Sequence, residues 1–354
     1  MATTFAVPDG RVAMAATLWA GNNSTKSISN AVNGISFQPG LVWLKDRTQS
    51  QYHTLYDSTR YIGPTRSLIL PLTDVEGGQS NLYGYLSSFD SDGFTLTPGS
   101  TSSAWVNASG DSYVGWQWKS AGIGGSNNTA GAITSSVSAN TTAKFSIVLY
   151  TGTGANATVG HGLDATPGMI IIKSRTGAYN WIVYHSGLTS AAYYVSLNQT
   201  IAQTSYPTAF NSTAPTSTVF SIGTDASINQ STYNYVAYCW APVAGYSAFG
   251  TYTGNGVVDG PFIYTGFRPR FIMFKRTDTT GNWLIEDTSR DTSNPAKLDL
   301  IANDSTSEIN DTSVFDILSN GFKGRNTYAG ANAAAGTYIY AAFAENPLKY
   351  SNAR

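Results

Sequence analysis

The hydrophobic and polar positions of the chain repeat one pattern three times. An apolar run opens after a proline and closes on a lysine in FQPGLVWLKDR (Phe37 to Arg47), TPGMIIIKSR (Thr166 to Arg175) and RPRFIMFKR (Arg268 to Arg276). Each run is continuously apolar, which suits a strand covered on both faces. Downstream of each lysine the same landmarks follow in the same order. First come YHTLYDSTR from Tyr52, NWIVYHSGL from Asn180 and NWLIEDTSR from Asn282. Next are SDGFTL from Ser91, TVFSIG from Thr218 and SNGFKG from Ser319. Last come SYVGWQWK from Ser112, NYVAYCWA from Asn234 and TYIYAAFA from Thr337. With the Gly-rich openings ATLWAGNNS, VLYTGTGAN and GTYTGNGVV, five landmarks kept in order three times are an internal repeat.

Alternation of large and polar residues in NWIVYHS and YYVSLN predicts half-buried strands, and Gly, Asn, Ser and Pro clusters between such segments predict turns. No stretch carries the 3.6-residue apolar period and caps of a helix; the Gly-punctuated AGANAAAG (Ala329 to Gly336) reads as a loop. The predicted fold is all-β: three tandem antiparallel β-sandwich modules of jelly-roll or lectin-like type. They span residues 1–120, 144–245 and 246–346. A Gly/Ser/Thr-rich linker occupies 121–143 and a polar tail 347–354. On this reading the lysine strand surfaces at its end, so Lys45, Asp46 and Arg47, Lys173 and Arg175, and Lys275 and Arg276 mark the exit into solvent.

Composition narrows the function. Of 354 residues only 12% are charged, and 20 basic against 21 acidic side chains leave a net charge of −1. No basic stripe exists to neutralise phosphates, which argues against nucleic acid. No apolar run is long enough to cross a membrane as a helix. Val12 to Ala20 has the length of a leader's apolar core. It follows Pro-Asp-Gly-Arg rather than a lysine-rich start, however, and is read as part of the domain. The single cysteine, Cys239, sits in a strand pattern as a buried thiol and excludes an internal disulfide.

Chemistry-bearing patterns are sparse. His53, His161 and His185 are not clustered at metal-ligand spacing, and neither a metal nor a cofactor is expected. His53, Asp57 and Ser58 crowd one short segment without a nucleophile turn. Glu286 and Asp287, the one tempting carboxylate pair, are strand neighbours and should point to opposite faces. Asp90 and Asp92 are spaced like the start of a calcium loop, but the later copies lack them. Catalysis is therefore not expected. Aromatic residues make up 13% of the chain. Trp105, Trp181 and Trp283 are the candidate ligand-binding residues, as exposed rings on which sugars could stack. Trp116 with Trp118, and Tyr238 with Trp240, share strand faces and are read as core.

The long motifs GISFQPGLVWLKDR, HGLDATPGMIIIKSR, GPFIYTGFRPRFIMFKRTD and YIYAAFAENPLKYSNAR resemble a family of tailed-bacteriophage virion proteins, tail-fibre-like or structural, frequent in short-tailed phages of aquatic and cyanobacterial hosts. The resemblance runs over nearly the whole chain. It implies a structural particle component, assembled in the host cytoplasm and carried in the virion. The expected partners are other virion proteins, further copies of the chain, with a trimer favoured, and host-surface polysaccharide bound without catalysis. A capsid decoration or connector protein and a polysaccharide-degrading virion enzyme are the alternatives.

Overall fold

In the computed structural model, which describes residues 5–60, 63–78, 81–101 and 105–347, the three apolar runs are strands inside antiparallel sheets. The fold is all-β, and the same strand order recurs in three large sheets. In the first, the opening strand Met14–Ala20 lies beside the closing strand Ser112–Trp118. The lysine strand Leu41–Asp46, then His53–Asp57 and Leu68–Leu70, complete it. The second runs Phe145–Thr151, Asn234–Trp240, Met169–Ser174, Ile182–His185, Tyr193–Ser196. The third runs Ser247–Thr253, Thr337–Pro347, Phe267–Arg276, Trp283–Asp287, Ala296–Ile301.

Register repeats as well. Lys45 lies opposite Val114, Lys173 opposite Val236 and Lys275 opposite Ile339, in each case the residue after the landmark tyrosine. That tyrosine has two structural tasks. Its ring stacks on an aromatic of the opening strand: Trp19 on Tyr113 at 5.4 Å, Tyr150 on Tyr235 at 5.2 Å, Tyr252 on Tyr338 at 4.6 Å. Its hydroxyl accepts a backbone N–H from the turn leading into the strand, from Ala108, Gln230 and Ala333 respectively.

Period 2 sends alternate residues of each lysine strand to opposite faces. One face of every large sheet enters a common core. There Trp43, Trp118, Ile171, Trp240, Phe271 and Phe343 are buried together. Trp118 touches Trp240 at 5.9 Å, Phe271 at 5.4 Å and Phe343 at 5.6 Å, so one side chain joins all three sheets. The opposite faces pack under smaller layers. Val42 and Leu44 meet Ile28, Phe94 and Leu96. Ile170 and Ile172 meet Val159, Phe220 and Ile222. In the third segment the sheet continues from Ala296–Ile301 through Ile309–Leu318 and Gly321–Gly324 to Phe262–Tyr264, placing Phe315 against Phe274.

Three expectations are corrected. The segment 121–143 is not a plain linker: Ser126–Asn128 and Ser135–Asn140 extend the second sheet beyond Phe145–Thr151. Backbone pairing needs few apolar side chains at a sheet edge, and Ile133 and Val137 supply the ones that are buried. The stretch read as a loop holds a one-turn helix, Ala329–Asn332, and a matching turn, Ala226–Asn229, precedes the second closing strand. The last closing strand reaches Pro347, while the rest of the expected tail, 348–354, lies outside the described residues.

Candidate functional site

The lysines do not surface. Lys45, Lys173 and Lys275 are each 0% exposed, and their ammonium groups close the seams between segments. Each donates to a carbonyl six residues further along its own segment, Gln51, Tyr179 or Gly281. Each also donates to a carbonyl of another segment: Lys45 to Ser305 at 3.0 Å, Lys173 to Thr73 at 3.0 Å, Lys275 to Thr200 at 3.1 Å. An ammonium carries three donors and no acceptor, which suits a ring of loop carbonyls. Burial brings all three lysines down to about 8, so they remain charged at neutral pH.

Two residues beyond each lysine the seam gains a backbone bond. The carbonyls of Arg47, Arg175 and Thr277 accept from the N–H groups of Glu308, Glu76 and Gln203. In two of the three seams the side chains pair as well, Arg47 with Glu308 at 2.7 Å and Arg175 with Glu76 at 2.8 Å. Those glutamates also receive an arginine from their own segment, Arg290 and Arg60. The contacts circulate in one sense: first segment to third, third to second, second to first.

Trp181 and Trp283, expected as exposed sugar platforms, belong to these seams and are 0% and 1% exposed. Their indole N–H groups donate to Leu72 O at 3.1 Å and Ser196 O at 2.9 Å. His53 takes the same position in the first segment: its Nδ1 accepts from Trp43 Nε1, so its Nε2 donates to Ile301 O at 3.0 Å. Trp105 is also buried, stacked on Tyr83 at 4.4 Å and edge-on to Tyr52. None of the three tryptophans presents an open face. Spacing gave no sign of this, because strand aromatics repeat every second residue whether they meet solvent or another sheet.

A second set of bonds crosses the seams in the opposite sense. Asp57 accepts from Tyr238 Oη at 2.7 Å, Asp287 accepts from Trp116 Nε1 at 3.0 Å, and His185 Nε2 donates to Tyr340 O at 3.0 Å. Arg60 and Arg290, buried with them, pair with Asp57 and Asp287. Burial works to raise the Asp287 carboxyl, but the Arg290 guanidinium overcomes it and holds the group below its ordinary range. The sequence did carry a signal for these arginines: Asp57-Ser-Thr-Arg60 and Asp287-Thr-Ser-Arg290 repeat one spacing.

The catalytic arrangements weighed from sequence are not assembled. His53 is committed to Trp43 and Ile301, and Ser58 Oγ donates to Gly122 O. Asp90 and Asp92 take hydroxyl donors, Thr95 and Ser29, around a tight turn. Among the described residues no group of three or more His, Cys, Asp or Glu side chains is placed to hold a metal ion. Cys239 is buried as expected, and burial pushes its thiol well up.

Glu286 and Asp287 diverge as strand neighbours must. Glu286 is fully buried, and its carboxyl is raised well above the usual range by burial and then by Asp299. The folded state thus keeps a proton that the unfolded chain releases near the ordinary glutamate value. The stabilisation is complete below about pH 4.3 and is lost as pH rises through the raised value. Glu286→Gln should match the parent protein at pH 4 and exceed it increasingly toward pH 8 in urea midpoint. Parallel midpoints across that range would contradict this assignment.

Exposed aromatic surface lies elsewhere. Phe262 is 46% and Tyr264 63% exposed on the outer layer of the third segment. A surface groove of about 420 Å³ between Lys119–Ala121 and Ala139–Ala143 has polar and small apolar walls and Lys119 as its one charged side chain.

Residues 13–347 match the model of a family described as a domain of unknown function, DUF7483. No curated protein and no solved structure matches the chain.

Proposed function

The chain belongs to the DUF7483 family, and within it we propose a structural component of a bacteriophage particle, a tail fibre or spike that attaches to host-surface glycan without catalysis. The resemblance of its long motifs to tailed-phage virion proteins supports this reading. So does the interlocking of the segments: each seam is closed by the same buried lysine and backbone bonds, without a disulfide. Carbonyl-lined seams with few exposed charges suit a part that must persist outside a cell. The same reading holds that the chain is one β-sandwich unit written three times, and that copies of it assemble, as a trimer, with other virion proteins. That multiplies weak glycan contacts into avidity.

Antibody labelling of purified particles viewed by electron microscopy tests the proposal. Signal at the tail is expected. Signal over the head would favour a decoration or connector protein, and unlabelled particles would refute a virion role.

A further inference from the structure

The outer layers of the three segments provide an internal comparison. In each, a buried phenylalanine of the landmark stretch faces a buried aliphatic residue on the partner strand: Phe94 with Ile28, Phe220 with Val159, Phe322 with Ile263. The residues flanking that aliphatic lie on the other face of the layer. They are the exposed Ser27 and Ser29 in the first segment, the half-buried Thr158 and buried Gly160 in the second, and the exposed Phe262 and Tyr264 in the third. The layer therefore forms without aromatic residues at these positions, and in the third segment alone it carries two. Val257 and Val258, in the bend that precedes this strand, are 51% and 61% exposed. An exposed apolar face with no structural requirement behind it marks a contact surface.

Area and charge indicate what it contacts. Phe262 and Tyr264 together expose roughly 200 Å², far short of the ~800 Å² per partner that a stable protein dimer buries. Charges at the rim cancel, since Lys323 pairs with Asp259 at 2.6 Å. Arg325 likewise pairs with Asp316 at 3.2 Å, so the face selects neither an anion nor a cation and combines flat rings with carboxylate acceptors and cationic donors. A pyranose ring offers the complement: an apolar C–H face for the rings and hydroxyls for the Asp259 carboxylate and Lys323 ammonium.

We infer that Phe262 and Tyr264 form the contact face for an uncharged saccharide. This rests on the attachment reading above and gives it a place on the molecule. Asp259, paired with Lys323 through one oxygen and with 81% of its side chain exposed, offers its remaining acceptor capacity to a hydroxyl.

The test displays the full-length protein multivalently on an array of neutral and anionic oligosaccharides, beside the Phe262→Ser/Tyr264→Ser variant, which installs the first segment's residues. Retention of at least one neutral oligosaccharide is expected, weakened tenfold or more in the variant, with an unchanged thermal midpoint. Should the double variant misfold, Tyr264→Ser alone carries the comparison. Equal retention by the variant would overturn the site while leaving glycan attachment standing. Retention of anionic sugars only would overturn the neutral assignment. No retention by the parent protein would overturn glycan binding itself. A concentration-dependent dimer abolished by the variant would assign the face to a second copy instead.

Discussion

Trp118→Ala should lower the unfolding free energy by about 3–5 kcal/mol, the range for truncating a large buried aromatic. It should also shift one transition for the whole chain. The size follows from area: a buried tryptophan carries ~150–250 Å², worth about 4–6 kcal/mol at ~25 cal/mol per Å². The single transition follows from position. Trp118 meets Trp240, Phe271 and Phe343, one or two rings from each of the other two sheets, so no segment keeps its inner face covered when another leaves. Chains of this length commonly unfold in stages. Here calorimetry should show coincident loss of all three segments, in the parent and in the variant. Three separable transitions, with only one moved by Trp118→Ala, would mean that the segments fold as independent beads.

Asp287→Ala should cost a similar amount, about 3–5 kcal/mol, by a different mechanism. The carboxylate is fully buried between the Arg290 guanidinium at 2.6 Å and the Trp116 indole at 3.0 Å. Removing it leaves a buried cation facing a void, and leaves an indole N–H of another segment without its acceptor. Arg290 still reaches Glu308 and the carbonyls of Ile285 and Leu298, so the charge is not wholly stranded. Asp287→Leu combined with Arg290→Met should recover most of the loss, because removing a buried pair together is far less damaging than removing one member. Equilibrium urea unfolding of the single and double variants checks this. A double variant as unstable as Asp287→Ala would show that the carboxylate acts mainly through Trp116.

Much of the fold was legible in the sequence. Continuous apolar runs identified strands with two covered faces, and Leu41 to Leu44 divide between the common core and the outer layer accordingly. Landmark lysines and tyrosines fell into one register three times. The environment of the lysine was not legible. An apolar strand ending in Lys-Asp-Arg reads the same whether its end meets water or the carbonyls of a distant segment, because local pattern holds no information about what packs against it. The same ambiguity hid Trp181 and Trp283 in the seams and left Phe262 and Tyr264 unremarked, though their positions in the repeat distinguish them. The strands inside 121–143 were obscured by composition, since edge pairing draws on backbone groups that every residue possesses.

The seams differ in one respect. Between the second and third segments Thr277 and Gln203 stand where the other two seams have an arginine and a glutamate, and Leu188 replaces the buried arginine. These two segments are also the ones joined by the shortest connection, from Trp240 to Ser247. Covalent tethering over so few residues holds their faces together at high effective concentration. The first and third segments, joined only by way of the second, have no such tether. One ionic clasp thus secures the seam that the backbone leaves open, and the other adds to the direct connection between the first and second segments.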